Sequence, residues 1–166
     1  DRIQTESGRV DCCPPQFSGA LTDCESIFDS LISEAPSQLK MIVNRTNYMI
    51  NSWFHNVNSL KRGEHLSNPI YINPQDARAR NIGDGSEVRV FNGNGEVTTT
   101  ASLDDKLKPG TVALTHGWGH QQSRMQVAKK HAGVNANELL PSGPGSYEKL
   151  SNQAFMTGIP VEIAIS

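Results

Sequence analysis

"EVRVFNGNGEVTTTASL", Glu87 to Leu103, decides the fold class. Val88 and Val90 alternate with Glu87 and Arg89, the period-two pattern of a strand with one buried face. Asn92-Gly93-Asn94-Gly95 follows, and Asn and Gly both tolerate φ > 0, so a tight hairpin turn is expected there. "EVTTTASL" then reads as the returning strand.

The same character extends on both sides. Downstream, Lys108-Pro109-Gly110 turns the chain into "TVALT", and the closing "IPVEIAI" places Ile159, Val161, Ile163 and Ile165 on one face. Pro160 is tolerated there near a strand start or at an edge. Upstream, "LKMIV" and "PIYI" are short apolar runs. One short helix interrupts the strands, "NPQDARARN", with Asn73 as N-cap, Pro74 at the first helical position, Asp76 in the first turn and Gly83 ending the unit. Residues 121–149 look like an insertion, with a helix near Ser123 to His131 and then the loop "LLPSGPGS". Many short strands with few small helices predict a mainly β protein, a closed or nearly closed barrel.

The first 36 residues differ. Residues 1–19 are polar and read as a linker or strap. A helix follows, with Leu21, Cys24, Ile27, Phe28, Leu31 and Ile32 at helical spacing and Thr22 with Glu25 at capping-box spacing; Pro36 stops it. The expected division is a lead-in over 1–36 and a barrel domain over 37–166. The chain opens on Asp1 rather than Met, so it is expected to be processed or cut from something longer.

Composition excludes several functions. The 166 residues carry a formal net charge of -2, which gives no basic field for nucleic acid. No apolar run reaches the ~18 residues of a membrane span. The three cysteines, Cys12, Cys13 and Cys24, are odd in number and lack a C-x-x-C, which favours a thiol-keeping compartment over a disulfide framework. A cytoplasmic rather than periplasmic location is expected on that basis. Asn44-Arg45-Thr46 matches the glycosylation pattern and is read as chance in such a compartment.

Chemistry is sparse. "THGWGH", Thr115 to His120, has two histidines four apart, a metal spacing only on a helix, and Gly117 and Gly119 argue against a helix. There is no nucleophile elbow, no P-loop and no obvious acid–base pair, which leaves autonomous hydrolase chemistry without a nucleophile. Two polar stretches remain, "NRTNYMINSW" and "LSNQAFMTG". Arg45, Asn47, Asn51 and Ser52 offer groups that hydrogen-bond phosphates and base edges. A polar loop using Asn for its turns explains the same composition.

Taken in order, "NPIYINPQDARARNIGDGSEVRVFNGNGEVTTTASLDDKLKPGTVALTHGWGH" and the closing "MTGIPVEI" resemble the C-terminal domain of molybdopterin-dependent oxidoreductases. "GRVDCCPP" and "NRTNYMINSW" are similar to segments preceding that domain in the same enzymes, which include formate dehydrogenases, nitrate reductases and dimethyl sulfoxide reductase. The resemblance implies a double-psi β barrel that binds molybdopterin guanine dinucleotide, with molybdenum or tungsten, shared with the preceding domains. The metal's protein ligand would come from those domains. The isolated chain is then expected to be inactive and to hold no cofactor tightly. Carried over by position, Arg45, Asn47, Asn51, Ser52 and Asn137 are cofactor contacts, with Asn152 and Gln153 in the last polar loop. Many relatives have histidine where Asn51 stands. His116, Trp118 and His120 fall in a cofactor-facing loop, where glycines permit close backbone approach. The alternative for that loop is a structural one with Trp118 packed in the barrel. Two other readings of the chain stay open: a stand-alone barrel subunit of such an enzyme, and a non-catalytic interaction module of the same fold.

Overall fold

The computed structural model describes residues 2–148 and 150–166. In chain order the elements are α1 (Pro15–Ile32), β1 (Leu39–Asn44), β2 (Ile70–Ile72), α2 (Pro74–Ala79), β3 (Glu87–Phe91), β4 (Glu96–Leu103), β5 (Thr111–Thr115), α3 (Gln126–Lys130) and β6 (Thr157–Ile165). The six strands close a barrel in the order β1-β5-β2-β4-β3-β6. β1 with β5 and β2 with β4 are parallel, and the other four pairings are antiparallel. Closure removes the exposed edges that an open sheet of short strands would present.

The alternation seen in the sequence is the inside–outside alternation of the barrel. Val88 and Val90 are fully buried, and Leu39, Met41, Ile70, Ile72, Val112, Leu114, Ile159, Val161 and Ile163 join them in one core. Burying each such side chain contributes about 1.5–3 kcal/mol. Ile165 departs from the expected face: it pairs with Val88 at the barrel rim and is 54% exposed.

Three local expectations are corrected. The β3–β4 turn does not use φ > 0 at its glycines. It closes instead through the Asn92 side chain, whose Oδ1 accepts from Asn94 N at 2.8 Å and Gly95 N at 3.3 Å. Gly95 is needed because a β-carbon there would press on the Glu138 carbonyl. The second correction is at α2, which starts as expected, with Asn73 Oδ1 accepting from Gln75 N. Its last residue is Ala79, and the residue that closes it in the left-handed region is Asn81, at φ 57, and not Gly83. Asn visits that region because its short polar side chain tolerates it. The third is α1, which begins at Pro15, seven residues before Thr22. Proline suits a first turn, and Thr22 lies inside the helix, donating to the Ser18 carbonyl at 3.0 Å.

The apolar stripe of α1 is real but uncovered: none of its residues is buried, and Leu21, Ile27, Phe28, Leu31 and Ile32 are all exposed. α3 falls in the expected segment and is capped from elsewhere, by Asn56 Oδ1 accepting from Val127 N and Ala128 N. No helix among the described residues is long and apolar enough to cross a membrane.

Candidate functional site

One end of the barrel gathers the polar loops. Parallel pairing aligns Asn44, the last residue of β1, with Thr115, the last of β5. His116 N donates to the Asn44 carbonyl at 3.1 Å, and Val43 N donates to that of Met156, just before β6, at 3.2 Å. The segments after β1, after β5 and before β6 therefore meet at a single rim.

Two of them touch backbone to backbone. Ile50 and Asn51 take φ of 44 and 60, and Gly117 and Gly119 take φ of 94 and 98. A β-carbon on Gly117 would collide with the Asn51 carbonyl, and one on Gly119 with Asn135. Glycine is required twice over, for its dihedral and for the approach. Asn51 Oδ1 accepts from His116 Nε2 at 3.0 Å. Burial and then the nearby Arg45 charge lower the His116 pKa.

Behind these loops lies a buried polar layer. His55 is fully buried, Trp118 is 3% exposed and Lys61 is 9% exposed. His55 Nδ1 is 2.8 Å from His120 Nδ1, and His55 Nε2 is 2.8 Å from the His131 carbonyl. The His55 ring meets Trp118 edge-on at 4.8 Å. Lys61 Nζ sits 4.3 Å over the Trp118 ring and 3.1 Å from Met49 Sδ, with no carboxylate in ion-pair contact among the described residues. Burial pushes the His55 pKa down to about 4; the His131 and Gly117 carbonyls oppose this, while the charges of Lys61 and His120 add to it. Burial also lowers the pKa of Lys61. Asn68, 1% exposed, ties the layer together by donating to the Thr115 and Val134 carbonyls and accepting from Val134 N.

The residues singled out in the sequence take distinct places. Arg45, Asn47 and Asn51 are exposed on the rim, and Ser52 is half-buried beside Gly117. His116 and His120 are half-buried, whereas Trp118 is packed inward against His55 and Lys61. Asn137 is exposed on a short 3-10 turn, Ala136–Leu139, whose capping residue Asn135 backs Gly119. Asn152, at φ 54, and Gln153 are exposed in the loop before β6. That loop is shaped by Glu148, whose carboxylate accepts from Leu150 N and Ser151 N, and those hydrogen bonds hold its pKa below the usual range.

Sequence reasoning missed His55, Lys61 and Asn68. The first two sit in irregular backbone with no periodicity to mark them; only the Asn68-Pro69 step at the entry to β2 carried a local signal. Among the described residues, three buried side-chain atoms lack any hydrogen-bond partner: Asn44 Oδ1, Thr46 Oγ1 and Trp118 Nε1. All three belong to the β1 and β5 ends of this rim. Among the described residues no three His, Cys, Asp or Glu side chains group as metal ligands.

Residues 39–152 match the family model described as molydopterin dinucleotide binding domain. The chain is 28% identical to a tetrathionate reductase polypeptide of Salmonella typhimurium, over 93% of this chain and 17% of that protein. It is 34% identical to dimethyl sulfoxide reductase DmsA of Escherichia coli, over 63% of this chain and 12% of that protein. It thus spans only a small part of these relatives. Among solved structures, acetylene hydratase from Pelobacter acetylenicus superposes with a TM-score of 0.69 at 16% identity, over 98% of this chain and 24% of that one. That likeness speaks for the fold.

Proposed function

The chain belongs to the molydopterin dinucleotide binding domain family, and from that premise we propose that it is the cofactor-holding barrel of a larger molybdopterin-dependent oxidoreductase. The observation that carries this reading is the rim itself. Two loops are locked together through Gly117 and Asn51, above buried polar atoms with no partner of their own. Unpartnered buried polar groups cost about 1–3 kcal/mol each, and three of them, Asn44 Oδ1, Thr46 Oγ1 and Trp118 Nε1, lie at the β1 and β5 ends of this rim, which marks it as a place where stability is given up for a binding site.

The side chains suit a pterin dinucleotide. Arg45 is exposed and forms no ion pair among the described residues, so its guanidinium is available to phosphate. Asn51 gives its oxygen to His116 and keeps its amide NH₂ as a donor. Asn47, Asn137, Asn152 and Gln153 add exposed amides, which donate and accept together as the edges of pterin and guanine require. Ser52, His116 and His120 complete the wall, and Trp118 supports it from behind. When bound, the cofactor carries the electron chemistry; this chain orients it and excludes water.

The finer identity, a guanine dinucleotide with molybdenum or tungsten shared with preceding domains, is part of the proposal. So are the lead-in over 1–36, the barrel over 37–166 and a cytoplasmic location, for which the exposed thiols of Cys12, Cys13 and Cys24 speak. The uncovered stripe of α1 supports a partner surface in the rest of the same enzyme. The test is cofactor retention in the purified full-length enzyme carrying Arg45→Ala, Asn51→Ala or Asn137→Ala. Loss of one charge-assisted or amide contact, about 1–3 kcal/mol, should weaken retention by about five-fold to about 150-fold. Unchanged retention in all three would favour the interaction-module reading.

A further inference from the structure

The donors and acceptors around His55 can be assigned one after another. The His131 carbonyl only accepts, so the ring nitrogen facing it at 2.8 Å, His55 Nε2, carries the hydrogen. His55 is fully buried, beside a lysine that has no carboxylate in ion-pair contact among the described residues. A second proton on His55 is therefore disfavoured, and Nδ1 is bare. Among the described residues the side-chain partner of that nitrogen, at 2.8 Å, is His120 Nδ1, which must then donate. The reverse polarity would set the His55 Nε2 lone pair against the His131 carbonyl. In its neutral form His120 is left with a bare Nε2, at a half-buried position on the rim.

His116 arrives at the same state by a separate route. Its Nε2 donates to Asn51 Oδ1, so in the neutral ring Nδ1 is bare. The two histidines of one loop then offer ring lone pairs and no free ring N–H. The ionised pyrophosphate oxygens of a dinucleotide only accept and find nothing to bond on these rings, whereas the N–H and amino groups of a heterocycle do.

We propose that His55 is a positioning residue that holds His120 as its Nδ1–H tautomer, so that His120 Nε2 receives a hydrogen bond from an N–H or amino group of the pterin or guanine ring. This rests on the cofactor reading above and deepens it: the His116–His120 loop takes the heterocycle, and Arg45 takes the phosphates.

The test is long-range proton–nitrogen NMR of the 166-residue chain with nitrogen-15 histidine, titrated separately with free pterin, with guanosine monophosphate and with inorganic phosphate. The expected spectrum shows bare nitrogens at His55 Nδ1 and His120 Nε2. Pterin or the nucleotide should shift His120 Nε2, and the more effective of the two names the ring this loop takes; inorganic phosphate should leave it in place. His55→Phe should let His120 exchange between tautomers and lose the selective response. His55→Gln, which can both donate to the His131 carbonyl and accept from His120, should restore it. A wild-type His120 in the Nε2–H form, an equal response to phosphate, or an undiminished response in His55→Phe overturns the proposal. The tautomers are read without bound cofactor, so this result stands apart from the cofactor content of the full-length enzyme, which decides the underlying reading.

Discussion

Acidification should destabilise this barrel through His55 in particular. Its folded-state pKa is lowered to about 4 from an ordinary 6.5, chiefly by burial. Between those values the unfolded chain binds a proton that the folded chain refuses, so the unfolded state gains as pH falls. The contribution is fully present above about pH 6.5 and is lost progressively as pH drops towards about 4. Full loss corresponds to about 3 kcal/mol at 1.36 kcal/mol per unit, and about 2 kcal/mol of it falls between about pH 7 and about pH 4.5. The assay is urea unfolding of wild type and His55→Gln across that range. Other titrating groups act on both proteins, so the difference in slope isolates the imidazole. Wild type should lose about 2 kcal/mol more than the variant over the range. Parallel pH profiles would refute the reasoning, because they would mean that His55 is as easily protonated folded as unfolded.

Two further changes probe what holds the rim in place. Asn68→Ala removes three side-chain hydrogen bonds linking Thr115 and Val134, one buried and two partly buried, and should cost about 3 kcal/mol in urea unfolding because the abandoned backbone groups lose their partners away from bulk water. In the β3–β4 turn, Gly93 has open space and an ordinary dihedral while Gly95 abuts Glu138. Gly93→Ala should therefore fall within about 0.5 kcal/mol of wild type, and Gly95→Ala should lose at least about 1 kcal/mol more, both read by thermal unfolding.

The strands were legible because a barrel buries one face of each, which writes a period of two into "EVRVF" and "IPVEI". Their pairing order was not. Strands of three to nine residues carry no mark of their partners, and the parallel match of β1 with β5 joins segments far apart in sequence. Helix ends failed where one residue type stood in for another: Asn81 took the left-handed position expected of Gly83. In α1 the helical period was readable, but a period says only that a face is apolar and not that anything covers it.

The candidate site was half visible. Arg45, Asn51 and the His116–His120 loop stood out by composition and by resemblance, yet the contact that unites them, Asn51 with His116, spans 65 positions and has no local signature. His55 and Lys61 were invisible for a related reason. Each is a single polar residue whose meaning comes from being buried against Trp118, and burial in irregular backbone leaves no pattern.

The most direct test of the central claim is the cofactor content of the purified full-length enzyme from which this barrel would come. Released and analysed, it should yield a guanine-containing pterin together with molybdenum or tungsten in stoichiometric amounts. Absence of both, in a well-folded protein from a host that makes the cofactor, would contradict the account and leave a barrel of the right family without the ligand proposed for it.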